Sequence, residues 1–294
     1  MPTPRSGGGV SVTVEIELEE QWAVQAVFGG WIALTLARVA ATLLPQAHVL
    51  ASASLSFARA VQPGAATVTA TLTRSGRSYG FVTCELSTPT GIAVTAQFTF
   101  VPRDRLPAVS GGTSTPDLPP SSPSGARGSG VARQVDWRAE SDWSHRPGDG
   151  DPFVAWLRAD ETMRVTDAAV TDSGATATAS VVDPAWYLVA ADLIGPALVT
   201  PARRAFWVAT VTLEVQVHAL TTAPWLRQTL TARTVGADAV GALTLATGSG
   251  DVLATSTQRA VLIDGQTVDL PYSVTAFGWG VPRDSDEVPV EVHE

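Results

Sequence analysis

Hydrophobic and polar residues alternate strictly near the start of the 294-residue chain. The apolar side consists of Val10, Val12, Val14, Ile16 and Leu18, and the positions between them hold Ser, Thr and Glu. An alternation with a period of two predicts a strand with one buried and one solvated face. Residues 21–30 follow as a predicted loop.

The next apolar stretch, residues 31–44, has no such alternation. It consists of helix formers that are apolar almost all round, and Pro45 follows it. A helix of this kind must be enclosed by other elements. It is shorter than the roughly 20 residues that a membrane span needs and it contains Arg38. The pattern therefore predicts a buried helix and no membrane span.

Four strand-like segments come after the helix, separated by turns that contain Gly or Pro. They cover residues 49–59, 66–74, 79–87 and 92–101. A strand, a long helix and an antiparallel meander occur in the order of the hot-dog fold. Residues 107–130 are rich in Pro, Ser and Gly, and such a composition buries too little apolar surface to fold alone. The predicted organisation is an N-terminal domain over 1–104, a linker over 105–134 and a C-terminal domain over 135–294.

The second half repeats this order. It has a strand over 153–158, a less regular Thr- and Ala-rich segment over 161–183, a helix over 184–199 and late strands. The late strands are predicted over 206–219, 226–234, 242–247, 252–263 and 268–277. At an offset of about 160, residues 57–59 fall on 217–219 and Gly91 falls close to Gly250, as in an internal repeat. Chance similarity between two antiparallel sheets is the alternative. The prediction is an α+β protein of two tandem hot-dog domains, each an antiparallel sheet around a long central helix.

The amino-acid composition argues against several classes of function. The net charge is −9 and the pI is near 4.9, which argues against a nucleic-acid partner because phosphates need a clustered positive surface. All 19 basic residues are Arg, so Schiff-base and P-loop lysines are excluded. Cys84 is the sole cysteine, which fits a reducing cytosol, and residues 1–9 lack the apolar core of a signal peptide. A cytoplasmic, bacterial protein is expected.

Common catalytic signatures do not appear in the sequence. The four histidines have no helical metal-ligand spacing, and there is no GxSxG elbow, GxGxxG loop or Walker sequence. No metal site is predicted. Any catalysis has to use a less obvious set of side chains.

Several segments resemble acyl-CoA thioesterase II-type proteins. In the first half these are residues 27–31 (VFGGW), 56–59 (SFAR) and 74–78 (RSGRS). In the second half they are 190–193 (AADL), 209–211 (ATV), 217–218 (VH), 225–226 (WL) and 253–258 (LATSTQ). The resemblance covers most of the chain outside the linker and the tails. It implies hydrolysis of acyl-CoA, a place in lipid metabolism, no cofactor and a double hot-dog fold.

The resemblance also implies a site. Its helix aspartate, strand threonine and later strand glutamine fall on Asp192, Thr210 and Gln258. A carboxylate that draws a proton from water, with polar groups to hold that water, suits thioester hydrolysis. Backbone N–H groups at the start of a helix would polarise the carbonyl. Substrate binding is expected at Gly29, Gly30 and Trp31, although a tight turn explains the glycines equally well.

Each member of this trio has an ordinary explanation too. Asp192 lies in an apolar helix where an unpaired carboxylate is costly, but Thr210 could be common strand content and Gln258 could face solvent. The chain departs from the family pattern with Ala219-Leu220 in place of Arg-Pro and with Ala60 in place of Pro. A non-catalytic acyl-CoA-binding or assembly protein is therefore the alternative function. A dehydratase is a third option, and self-association into a homo-oligomer stays open.

Overall fold

The computed structural model describes residues 9–23, 26–110, 135–139, 150–159, 161–170, 176–193, 206–264, 272–273 and 281–282. The first half contains β1 (Val10–Leu18), α1 (Gly29–Ala41), β2 (His48–Phe57), β3 (Gly64–Ser75), β4 (Gly80–Thr88), β5 (Gly91–Pro102) and β6 (Ala108–Val109). Single 3-10 turns lie at Glu20–Trp22 and Arg103–Arg105.

The second half contains β7 (Trp137–Ala139), β8 (Phe153–Arg158), β9 (Arg164–Val170), β10 (Thr176–Val182), α2 (Trp186–Ala191), β11 (Phe206–Val217), β12 (Leu220–Thr221), β13 (Trp225–Val235), β14 (Asp238–Thr247), β15 (Val252–Asp264), β16 (Tyr272–Ser273) and β17 (Val281–Pro282). A 3-10 turn occupies Glu161–Met163. Most of the strand predicted over 268–277 lies outside the described residues.

One antiparallel sheet of eleven strands runs through both halves. Its order is β1-β3-β4-β5-β2-β11-β15-β14-β13-β8-β7. The first five strands form the sheet of the first domain and the last six form the sheet of the second. The two domains join where β2 pairs with β11. The chain thus forms two hot-dog sheets in tandem, as predicted.

Helix α1 is enclosed by the sheet of the first domain, as its apolar composition predicts. It spans Gly29–Ala41 and so begins two residues before the predicted start. Its buried side includes Ile32, Leu34 and Leu36, each no more than 1% exposed. These side chains pack against inward-facing strand residues in one continuous core. Burial of this apolar surface is the main force that holds helix and sheet together.

The second domain differs in two ways from the sequence prediction. Its helix is described only over the six residues of α2, and residues 194–199 of the predicted helix lie outside the described residues. A long central helix is therefore present in the first domain alone among the described residues. The segment expected to be less regular contains the paired strands β9 and β10. Arg164 fixes the base of this hairpin by donating to the carbonyl oxygens of Ser180, Thr222 and Ala223.

The start of the predicted linker contacts the second domain. Strand β6 pairs in parallel with β12, and the Thr221 hydroxyl donates to the carbonyl of Val109 at 3.0 Å. Residues 111–134 of the linker lie outside the described residues. Within the described part of the chain, no helix combines the length and the apolar character that crossing a membrane requires.

The two domains repeat each other in register. At the junction Ser54 lies opposite Glu214, its own counterpart at an offset of 160. Pairing on either side is reciprocal, since Ser52 lies opposite Gln216 and Ser56 opposite Thr212. A strand that meets its own copy in this way lies on a pseudo-two-fold axis. The repeat seen in the sequence is therefore a structural repeat.

Irregularities recur at the same offset. The pairing of β2 with β5 shifts between Leu50 and Ser52, and that of β11 with β15 shifts between Thr210 and Thr212. Bulges of this kind bend a strand and redirect its side chains. The second bulge follows Thr210 directly, so it helps to set where this side chain lies.

Candidate functional site

Asp192 occupies the C-terminal end of α2, directly after its last helical residue. All six residues of α2 are buried, and Asp192 itself is only 3% exposed. A carboxylate in such surroundings loses its hydration and needs hydrogen-bond donors. The structure supplies three of them.

Two donors are side chains of the second sheet. The Thr210 hydroxyl on β11 donates to Asp192 Oδ1 at 2.7 Å, and the Gln258 amide on β15 donates to the same oxygen at 2.6 Å. The Gln258 amide also donates to Thr210 Oγ1 at 2.7 Å. The structure thus brings all three predicted catalytic side chains together. Gln258 is 4% exposed, so the alternative of a solvent-facing glutamine was wrong.

The third donor comes from the first domain. The backbone N–H of Gly30, in the first turn of α1, donates to Asp192 Oδ2 at 2.7 Å. The N-terminus of a helix carries a partial positive charge that favours a carboxylate. The site is therefore composite, because one domain supplies the helix end and the other supplies the side chains.

Glycine at positions 29 and 30 is what allows this contact. A Cβ on Gly29 would lie 2.7 Å from Asp192 Oδ2. A Cβ on Gly30 would lie 2.8 Å from Val189 Cα and 3.0 Å from the Leu188 carbonyl oxygen, and these are backbone atoms that cannot turn away. Any larger residue would separate α1 from α2. The glycines let the two helices approach each other, and their expected part in substrate binding stays a prediction.

Trp31, the third residue expected at the substrate, belongs to an aromatic cluster. Its ring stacks on Trp22 with centroids 4.0 Å apart and planes inclined by 6°. Trp186 of α2 lies 6.1 Å from Trp31 and 6.3 Å from Trp22. Such contacts add to apolar burial in holding elements together. The cluster links the start of α1 to the start of α2.

Burial raises the pKa of Asp192 from 3.8 to about 7, and the hydrogen bonds from Thr210 and Gly30 work against this rise. A carboxyl group with a pKa near neutrality can take up and release a proton at the working pH. The arrangement thus has the properties of a general base. In the part of the chain that the structure covers, no group of three His, Cys, Asp or Glu residues could hold a metal ion.

Sequence reasoning missed two features of this site. It did not assign the Gly30 N–H to Asp192, since contact between α1 and α2 depends on how the domains pack. It also overlooked Ser256, which is 6% exposed and follows the same inward face of β15 as Gln258. The spacing of two residues from Gln258 was the available signal, because side chains two apart on a strand share a face.

Comparison with solved structures gives matches of similar fold. The acyl-CoA thioesterase II TesB2 of Mycobacterium marinum is 17% identical, with a TM-score of 0.57 over 86% of this chain and 93% of that one. A hot-dog protein of unknown function from Alicyclobacillus acidocaldarius is 18% identical, with a TM-score of 0.61 over 87% and 94%. The tesB protein of Mycobacterium avium subspecies paratuberculosis is 17% identical, with a TM-score of 0.55 over 88% and 95%. At these identities the likeness shows a common fold.

Comparison with curated proteins gives no match. Family profiles do match. The acyl-CoA thioesterase N-terminal domain matches residues 18–101, and the acyl-CoA thioesterase C-terminal domain matches residues 113–262. The two matches cover well over half of the chain, which therefore belongs to the acyl-CoA thioesterase family of thioester hydrolases.

Proposed function

We propose that this protein hydrolyses acyl-CoA to a free acid and CoA at Asp192, Thr210 and Gln258. The observation that carries the proposal is the convergence of these three side chains, from α2, β11 and β15, within 2.7 Å of one another. Membership of a thioesterase family supports the reaction type. The buried carboxylate with its raised pKa supports the assignment of a base.

Asp192 is the general base of the proposed reaction. Thr210 and Gln258 hold its Oδ1 in place by hydrogen bonds, so that the carboxylate has a fixed orientation. The Gln258 Oε1 atom is buried and has no hydrogen-bond partner among the described residues, which leaves an acceptor for one hydrogen of the attacking water. Water held between this oxygen and the carboxylate is positioned before the substrate reacts.

The chemical steps balance without a cofactor. The water oxygen forms a bond to the thioester carbonyl carbon while Asp192 accepts a proton from the water. The tetrahedral oxyanion then collapses, the carbon–sulfur bond breaks, and the CoA sulfur leaves with the proton that Asp192 took up. The products are the free acid and the CoA thiol. Asp192 returns to its ionised form.

The start of α1 provides the electrostatic support for the oxyanion. Gly30 already donates its N–H to Asp192, so the contribution of this helix end to the carbonyl comes from its dipole and from the N–H of Gly29. Substrate approach along Gly29, Gly30 and Trp31 places the thioester beside the carboxylate. These three residues are the proposed substrate-binding segment.

The test replaces Asp192 with Asn and measures CoA release from a panel of acyl-CoA substrates. Asn can accept hydrogen bonds at only one of its two positions, so either Gly30 or the Thr210–Gln258 pair loses its acceptor. Loss of a general base costs about 10²- to 10⁴-fold in rate. Asp104→Asn removes an exposed carboxylate of the first domain and is the matched control.

The outcomes separate the candidate functions. Turnover by the wild type and by Asp104→Asn, with loss in Asp192→Asn, supports the proposal. Full activity in Asp192→Asn overturns the proposed base. Binding of acyl-CoA without turnover by the wild type favours an acyl-CoA-binding or assembly protein, and melting curves show whether each variant is folded.

The proposal includes the domain boundaries 1–104, 105–134 and 135–294. It also includes a cytoplasmic location in a bacterium, a place in lipid metabolism and self-association. Limited proteolysis of the intact chain tests the boundaries: cleavage within 111–134 that leaves two resistant fragments supports them. Cleavage first within β2–β5 or β11–β15 contradicts them, because paired strands resist proteases.

A further inference from the structure

A buried glutamine of the second sheet bonds to the last turn of α2. Gln228 lies on the inward face of β13 between Leu226 and Leu230, and it is 0% exposed. Its side-chain amide donates a hydrogen bond to the backbone carbonyl oxygen of Ala190 at 2.9 Å. Ala190 precedes Asp192 by two residues. Gln228 therefore contacts the main chain directly before the proposed base.

The carbonyl group of Ala190 needs this partner. The last carbonyl groups of a helix have no N–H group of the same helix to bond with, because the helix ends. Helix α2 ends at Ala191, and Ala190 is 0% exposed, so solvent does not reach it. An unpaired backbone carbonyl in such surroundings is costly. The Gln228 amide satisfies it from the side of the sheet.

A second hydrogen bond fixes the Gln228 amide. Its Oε1 atom accepts from Trp137 Nε1 on β7 at 2.6 Å, and Trp137 is itself buried. An indole N–H can only donate and a backbone carbonyl can only accept, so a single orientation of the amide satisfies both contacts. The sheet therefore determines that the N–H side of Gln228 points to α2.

The first domain has an apolar residue in place of this glutamine. Val68 is the counterpart of Gln228 at the offset of 160 that relates the two halves, and it is 0% exposed. The pairing agrees, since Val68 lies opposite Leu86 on β4 as Gln228 lies opposite Leu245 on β14. A buried amide is costly unless it is fully hydrogen-bonded. Packing in this fold does not require it at that position.

The two strand residues that bond to Asp192 follow the same rule. At the same offset, Thr210 corresponds to Leu50 and Gln258 corresponds to Phe98. Three strands of the second sheet thus place polar side chains against the end of α2, where the first domain has apolar ones. The Gln228 amide therefore occurs in the half that contains the carboxylate, together with the rest of its polar contacts.

We propose that Gln228 is a positioning residue for Asp192 and acts through the carbonyl group of Ala190. Thr210, Gln258 and the Gly30 N–H fix the carboxylate, whereas Gln228 fixes the main chain from which it extends. A movement of this turn would carry Asp192 away from all three of its donors. The inference rests on the proposed function, because it assumes that Asp192 is the base.

The test replaces Gln228 with Met, which has a similar length but no N–H donor. It measures kcat and KM with butanoyl-CoA and palmitoyl-CoA. A displacement of the base by about 1 Å should lower kcat about 10- to 100-fold. KM should change by less than about threefold, because a fully buried side chain does not reach the substrate. Gln97→Met is the matched control, since Gln97 is exposed on β5 of the first domain.

A double-mutant cycle with Asp192→Asn separates positioning from a general loss of stability. If Gln228 acts through the Asp192 carboxylate, Gln228→Met should lower kcat in the wild type and cause no further fall in Asp192→Asn. A structural defect unrelated to the base would lower kcat by the same factor in both backgrounds.

A second variant keeps the test valid if Gln228→Met alone does not fold. Gln228→Met takes away the acceptor of the Trp137 N–H as well as the donor to Ala190, and both losses cost stability. The double variant Gln228→Met/Trp137→Phe also removes the indole N–H. Its change at Ala190 is the same, so the same loss of kcat is expected.

Each failure has a distinct signature. If the folded wild type hydrolyses neither acyl-CoA, the proposed function fails, and full activity in Asp192→Asn removes the base and this inference with it. Equal losses of kcat in both backgrounds, or an unchanged kcat in a folded Gln228 variant, overturn the role of Gln228 while hydrolysis at Asp192 stands. Circular dichroism and a melting temperature for every variant give the folded fraction by which kcat is corrected.

Discussion

The two halves of this molecule share one architecture but not one chemistry. Their strands pair in the same register and carry bulges at corresponding places. At the positions of Thr210 and Gln258, however, the first domain has Leu50 and Phe98. A few side chains on a repeated frame therefore decide that one half holds a polar cluster and the other an apolar core. The difference shows that function here depends on individual residues and not on the fold.

The halves also divide the work at the site. The first domain contributes the start of α1, where Gly30 meets the carboxylate. The second contributes Asp192 with its two side-chain donors. Neither half contains the complete arrangement alone. Two domains related by a pseudo-two-fold axis have two positions where the helix start of one can meet the side chains of the other. Among the described residues, the polar side chains occupy one of these positions.

Replacing a residue of one half by its counterpart from the other half tests this comparison. This exchange is expected to have the largest effect on kcat/KM. Gln258→Phe introduces the first-domain residue and removes both hydrogen bonds from the Gln258 amide. We expect kcat/KM to fall about a hundredfold or more, because the carboxylate loses a donor and the water loses its acceptor. Steady-state CoA release measures the change.

The reciprocal variant is the control. Phe98→Gln buries an amide without partners in the first domain, so the free energy of unfolding should fall by about 3–5 kcal/mol. Its kcat/KM, corrected for the folded fraction, should stay within about threefold of the wild type because the site is separate. Equal losses of activity in both variants would contradict a division between the halves.

Disturbing the contact between the two domains is expected to have the next largest effect on kcat/KM. Gly30→Ala places a methyl group against the backbone of Val189 and Leu188, so α1 must shift away from α2. Displacement of a positioning group by about 1 Å can cost 10- to 100-fold in rate. Gly76→Ala is the matched control, since its Cβ would meet only the Tyr79 carbonyl oxygen at an ordinary 3.7 Å. Unchanged kcat/KM in Gly30→Ala would show that the helix start has no part in the site.

The pH dependence gives the smallest effect. Asp192 must be ionised to act as a base, and its pKa is raised to about 7. We therefore expect kcat/KM to rise with pH and to fall about tenfold between pH 8 and pH 6. A pH–rate profile of kcat/KM measures this. A profile that stays flat down to pH 5 would contradict the assignment of Asp192 as base.

The same pKa shift predicts a change in stability. Native Asp192 keeps its proton up to about pH 7, whereas the unfolded chain loses it near pH 3.8, so the unfolded state gains relative stability as pH rises between these values. The protonated Asp192 therefore contributes about 4 kcal/mol to the free energy of unfolding. This contribution is fully present below pH 3.8 and is lost by about pH 7. Denaturant unfolding of the wild type and Asp192→Asn at several pH values isolates it, since the variant lacks the titrating group.

Local sequence pattern predicted the elements whose burial is regular. β1 has the predicted bounds because its apolar residues alternate, and α1 differs by only two or three residues at its ends. The hairpin of β9 and β10 was missed because its Thr- and Ala-rich strands lack strong alternation.

The sequence by itself determined the two repeats and the enclosed helix of the first repeat. Its resemblance to a known family also pointed to the three side chains of the candidate site. Periodicity and short-range spacing are written in the order of residues, so they can be seen without coordinates. Only the tertiary structure decided that Gly30 binds Asp192 and that the carboxylate is buried enough to raise its pKa. These properties depend on distances between residues far apart in the chain, which packing fixes and local pattern does not.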